Sequence, residues 1–127
     1  MTNENMGQRR LIILQLFLHM CERSPFTKGN GAVLHEHYML GSHVLYAQLQ
    51  GRLLNASAIA QQARMPRPTV ARKLQEMVEM GAVTKHADAT YALNPDWLGY
   101  KSGPRELREM SERVQRAAAE LDRLDSM

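Results

Sequence analysis

Apolar residues recur at helical spacing along most of this chain and alternate at strand spacing in one short segment. From Gln8 the chain is apolar nearly all round, with Leu11, Leu14, Leu18 and Cys21 on one face and Ile12, Leu16, Phe17 and Met20 on the neighbouring ones. A helix of that kind needs cover on more than one side. Residues 1–7 are polar and read as a frayed start, and Ser24–Gly31 reads as loop from its Pro, Gly and Asn content. Ala32–Gln50 follows as a helix with Leu34, Tyr38, Leu45 and Leu49 on one stripe and Gly41-Ser42 as the place for a kink. Ala56, Ile59, Ala60 and Ala63 form the narrow stripe of a short helix that Asn55 or Ser57 would cap, and Arg64-Met65-Pro66 stops it, because Pro disfavours helix at the residue before it.

A second helix starts near Arg67-Pro68, where Pro at the first helical position forfeits no hydrogen bond. It buries Val70, Leu74, Met77 and Val78 and ends at a Gly81 C-cap. Alternation over 82–86 and 90–93, around Ala87-Asp88-Ala89, predicts a small hairpin, with Leu53-Leu54 as a further short strand to pair with it. Asn94–Gly103 is a connection that Trp97 packs onto the domain. In the final helix, from Pro104, the residues Leu107, Met110, Val114, Ala117, Leu121 and Leu124 are spaced 3, 4, 3, 4, 3, a heptad seam flanked by alternating charges.

The two middle helices joined by a tight turn are a layout that holds one helix out against a partner. The second of them leaves Arg67, Thr69, Arg72 and Lys73 outside in its first two turns, while Glu76 and Glu79 come later. A cationic, hydrogen-bonding leading half suits a helix entering a DNA major groove, because the arginine fork matches guanine and phosphate geometry. Net charge points to the same place. Residues 1–51 carry four Lys/Arg against three Asp/Glu, residues 52–86 six against two, and residues 87–127 six against eight. The positive excess sits on the helix pair and its hairpin, as a phosphate-binding face requires. Arg72 is the foremost candidate for base reading; Arg52, Arg64, Lys85 and His86 are candidates for phosphate contact.

The run IAQQARMPRPTVARKLQEMVEMGAVTK resembles the winged helix-turn-helix of MarR-type and IclR-type bacterial transcription regulators. Ile59-Ala60, Thr69-Val70, Arg72, Leu74, Met77, Gly81 and Val83 fall on the family pattern, which covers about a third of the chain. Two positions depart from it. Pro68 stands where the family has a small polar residue, so a hydroxyl within reach of phosphate is missing. The wing is short and has no arginine at its tip, where MarR-type wings carry an Asp-x-Arg element for the minor groove. The resemblance implies a transcriptional regulator, more often a repressor; pairing of the terminal helices in a two-fold homodimer adds an inverted repeat in double-stranded DNA as the expected site, with a small-molecule effector as a further candidate partner.

The rest of the composition narrows the field. The chain of 127 residues reads as one domain over 1–127, with an N-terminal helix at 8–23, a winged core at 32–93 and a C-terminal helix at 104–126. The fold class is mainly α with a small β wing, a winged helix-turn-helix with N- and C-terminal dimerisation helices. Leu11, Leu14 and Leu18, with the seam Leu107, Met110, Val114, Ala117, Leu121 and Leu124, are the expected dimerisation residues. A single cysteine forms no internal disulfide, which fits a cytoplasmic protein. Arg9-Arg10 ahead of LIILQLFLHMC imitates a secretory leader, but Gln15 and His19 interrupt the run and no small-x-small cleavage site follows.

The five histidines show no metal-ligand spacing, so neither a metal nor another cofactor is expected. No phosphate-cradling glycine loop or nucleophile elbow suggests an enzyme. Two other readings remain: a plasmid or phage replication or partition protein, since Tyr91-Ala92-Leu93-Asn94-Pro95 is similar to a segment after the wing in some replication proteins, and a winged helix that docks on an acidic protein partner.

Overall fold

A computed structural model describes residues 3–22, 35–94 and 104–126. The element order is α1 (Asn3–Glu22), α2 (His35–Leu49), β1 (Leu54–Asn55), α3 (Ala56–Ala63), α4 (Arg67–Glu79), β2 (Val83–Lys85), β3 (Thr90–Leu93) and α5 (Pro104–Asp125). The chain forms two compact units, one made of Met1–Ser24 with Lys101–Met127 and the other of Pro25–Tyr100. The expectations for the loop at 24–31, for Leu34 and for Trp97 fall outside the described residues.

In the Pro25–Tyr100 unit, three helices pack around a core of Leu40, Val44, Ile59, Val70, Leu74 and Met77, closed on one side by Ala82, Val83, Tyr91 and Leu93. The antiparallel sheet has the order β1-β3-β2, with Leu54 opposite Tyr91 and Val83 opposite Leu93. Local chemistry sets each junction. Asn55 is the N-cap of α3 and its side-chain oxygen accepts from the Ala58 N–H at 2.9 Å, satisfying a donor that the first helical turn leaves open. Arg64 ends α3 in the left-handed region at φ 56°. Pro66 is the N-cap of α4, Pro68 lies in its first turn, and Gly81 takes φ +80° just past its end, the conformation glycine adopts there without a Cβ penalty.

Helix α2 departs from the sequence-based reading in two ways. It is continuous through Gly41-Ser42, where the Ser42 hydroxyl donates to the Tyr38 carbonyl one turn back at 2.8 Å. Its buried face is His37, Leu40, Gly41, Val44 and Ala47, whereas Leu49, expected on the inner stripe, is 76% exposed. Tyr38 and Leu45 of the expected stripe are half-buried at the edge of the core, so the helix is rotated only part of the way from that reading. Leu40 and Val44 fill that face, beside His37 and the small residues Gly41 and Ala47. Gln48 strengthens that contact, its side-chain oxygen accepting from the Leu93 N–H at 2.9 Å.

In the other unit, α1 packs on α5. Arg9 in the first half of α1 pairs with Asp125 at the end of α5, and His19, late in α1, lines a cleft with Arg113, earlier in α5, so the helices run antiparallel. Helix α1 begins at Asn3 rather than Gln8, with Asn5 and Met6 half-buried; packing overrides the low propensity of the polar start. Ile12 and Leu16 line the interhelical cleft opposite Ala117. Leu11, Leu14, Leu18, Leu107 and Val114 stay exposed, Met110, Ala117 and Leu121 are half-buried, and Leu124 is buried. No described helix is long and apolar enough to cross a membrane.

Candidate nucleic-acid interface

Helix α4 buries Val70, Leu74 and Met77 on the inside and turns Pro68, Ala71, Arg72, Gln75 and Glu79 outward. Arg72 stands in the middle of that face. Gln75, one turn further on, shares it and was not singled out by sequence reasoning; an amide there can pair with both hydrogen-bonding groups of an adenine edge. Arg67 is exposed at the start of the helix. It lines a cleft with Lys85 of the wing and Ser57 of α3, floored by Ala71 and Tyr91 and reaching Ala89 at the wing tip. The fold therefore gathers two cations separated by 18 positions of sequence with a hydroxyl at the leading end of α3, where the helix dipole also favours an anion. Among the described residues, no carboxylate lines this cleft.

The other candidates lie around that centre. Arg64 is exposed in the turn between α3 and α4. Arg52 is exposed after α2, donating to the Gln50 side-chain oxygen at 2.9 Å. His86 is exposed at the start of the wing turn, where its N–H donates to the Thr90 carbonyl at 2.8 Å. Thr69 is half-buried. Lys73 has a different place. Its side chain is only 15% exposed and its Nζ lies 3.4 Å from Glu36 Oε2 on α2, so its charge is directed to the flank of α4.

The wing tip carries an anion. The Thr90 hydroxyl donates to Asp88 Oδ1 at 2.6 Å and the Thr90 N–H at 3.1 Å. These bonds, the hydroxyl first, hold the exposed Asp88 carboxyl below the usual carboxylate range. Ala89 beside it takes φ 67°, a conformation that costs an L-residue about 1–2 kcal/mol. Tyr91 is buried in the core, and the Asn94 side-chain amide donates to the Gly81 carbonyl at 3.2 Å. Tyr91 and Asn94, two residues of the segment that suggested a replication protein, therefore have structural roles in the fold, and Pro95 lies outside the described residues.

A short helix, a tight turn, a second helix with an exposed cationic face and a three-stranded wing define a winged helix-turn-helix. Residues 47–87 match the IclR helix-turn-helix domain, so this part of the chain is a winged helix-turn-helix of the DNA-binding transcription-regulator type. No curated protein and no solved structure matches the chain. The match begins inside α2 and ends after β2; it includes every candidate DNA contact named above and leaves out α1 and α5.

Proposed function

We propose that this protein is a cytoplasmic transcriptional repressor that binds an inverted repeat in double-stranded DNA as a homodimer, MarR-like in flanking its winged helix with helices that dimerise. The observation that carries the DNA reading is the outward face of α4, where Arg72 stands exposed between the turn at Arg64 and the cleft shared by Arg67 and Lys85. Arg72 and Gln75 read base edges, and Arg67, Lys85, Arg64 and Arg52 hold phosphates. The acidic tip at Asp88 keeps the wing out of the minor groove, so recognition rests on the major groove.

Exposed leucines on α1 and the uncovered edge of the α5 seam support the dimer. A leucine moved from water into an interface gains about 1.5–3 kcal/mol, and the occupant that fits a seam repeating at 3, 4 spacing is a second copy of that seam. Two copies related by a two-fold axis place their groove helices about 34 Å apart, one turn of DNA. A small-molecule effector belongs to this reading as a further partner, with the cleft between α1 and α5 as its seat.

The test is fluorescence anisotropy on random and selected inverted-repeat duplexes across a salt series, with Arg72→Ala in parallel. Selective binding with a steep salt slope, and a mutant that loses about 1–3 kcal/mol of selectivity, is the expected result. Absence of binding to either duplex at low salt defeats the reading. Saturable capture of an acidic protein partner instead would favour the docking-module alternative, which the anionic wing tip makes the nearest rival.

A further inference from the structure

Lys73 and Glu76 stand on the flank of α4 that faces α2, and the first turn of α2 meets both. Glu36 Oε2 lies 3.4 Å from Lys73 Nζ, and His37 Nε2 lies 2.8 Å from Glu76 Oε2. The His37 side chain is only 6% exposed, while that of Glu76 is half in solvent. An ionised carboxylate only accepts, so Nε2 carries the hydrogen and donates it. A buried donor is expensive to leave unmade, which holds the ring and the carboxylate together.

These two links use adjacent residues of α2 and residues three apart on α4, so together they oppose rotation of α4 about its own axis. The apolar core resists that motion less sharply, because burial of Val70, Leu74 and Met77 has no directional preference, whereas a hydrogen bond weakens steeply with angle. On a helix of ordinary radius, a roll of about 10° swings an extended arginine head by about 1–2 Å. That is enough to break a bidentate contact with a base while leaving a phosphate contact within reach of a flexible side chain.

We infer that His37 is a positioning residue for base reading: its hydrogen bond to Glu76, backed by the Glu36–Lys73 pair, fixes the roll of α4 and so aims Arg72 and Gln75. The inference rests on α4 being the groove helix. It also gives Lys73 a role other than the groove contact expected from its position in the sequence.

The experiment compares Glu76→Ala with Glu76→Gln on a duplex that the wild type selects from a random pool and on an unselected duplex. Both variants remove the same charge, but only glutamine keeps an acceptor for Nε2. Glu76→Ala should lower the ratio of selected to random affinity about tenfold while random binding and its salt slope hold, and Glu76→Gln should stay within about threefold of wild type. His37→Leu, which keeps bulk without the donor, should repeat the alanine result, and His37→Gln should restore the ratio. Where His37→Leu does not fold, the two Glu76 variants decide. Equal ratios in Glu76→Ala and Glu76→Gln, or a loss falling equally on both duplexes, overturn the inference. A wild type that selects no duplex defeats the groove-helix reading itself, a result separate from any difference between the variants.

Discussion

The two units of this chain solve the problem of burying apolar surface in opposite ways. The Pro25–Tyr100 unit closes on itself: Leu40, Ile59, Val70, Leu74 and Met77 are fully buried, and sheet, caps and glycine turns satisfy the junctions around them. The unit of α1 and α5 does not close. Two antiparallel helices can cover only one side of each other, and α1 is apolar on nearly every side, so Leu11, Ile13, Leu14, Phe17 and Leu18 remain more than half exposed. Apolar surface exposed on that scale is what the proposed dimerisation would bury. The first unit carries the proposed recognition geometry in its own fold, and the second leaves open the apolar surface that the proposed dimer would cover.

Three measurements sharpen or break that contrast. The largest effect is expected in the closed core: Leu74→Ala should cost about 2–5 kcal/mol by chemical denaturation, because a fully buried side chain leaves a cavity its neighbours fill incompletely. A loss below about 1 kcal/mol would mean that this core is as loosely filled as a surface site. Next, Leu14→Asp should leave the circular dichroism of the winged unit intact and weaken self-association by on the order of 100-fold, read by sedimentation equilibrium. A wild type that sediments as a monomer at every concentration would remove the contrast altogether. The smallest effect is local. Ala89→Gly relieves the left-handed backbone at φ 67° and should stabilise the protein by about 1 kcal/mol or less, since glycine also loosens the unfolded chain. A lower melting temperature in that variant would show that the alanine side chain contributes more than its backbone costs.

Much of the recognition unit was legible in the sequence because its signals are local. Asn55 before a small-residue stripe, Pro66 and Pro68 around the turn, Gly81 after the helix and the alternation at 90–93 each act within a few residues, and the elements appear where they point. What stayed hidden depends on distant partners or small side chains. His37 meets Glu76 across 39 positions, and nothing in the residues around either one signals the other. The inner face of α2 sets Gly41 and Ala47, which carry little weight in a hydrophobic stripe, beside Leu40 and Val44. Lys73 read as one more outward cation because its neighbours Arg72 and Thr69 suggested a single face; one residue of rotation, about 100° on a helix, turns it toward α2 instead. On α5 the seam spacing was plain, but sequence alone did not show that Leu107 and Val114 would remain exposed beside α1.

Asn55 links these parts more tightly than its size suggests. It is the last residue of β1, opposite Thr90 on the wing strand, and also the residue that caps α3. Strand and helix share it with no spacer between them. The hairpin is thus geared to the helix pair: re-registering β1 against β3 would re-aim α3, and a one-residue insertion after Asn55 would disengage one from the other. Within the winged unit, the stretch from Leu54 to Leu93 cannot be divided without retuning and must keep its packing on α2, so wing length and helix angle are inherited as a single trait.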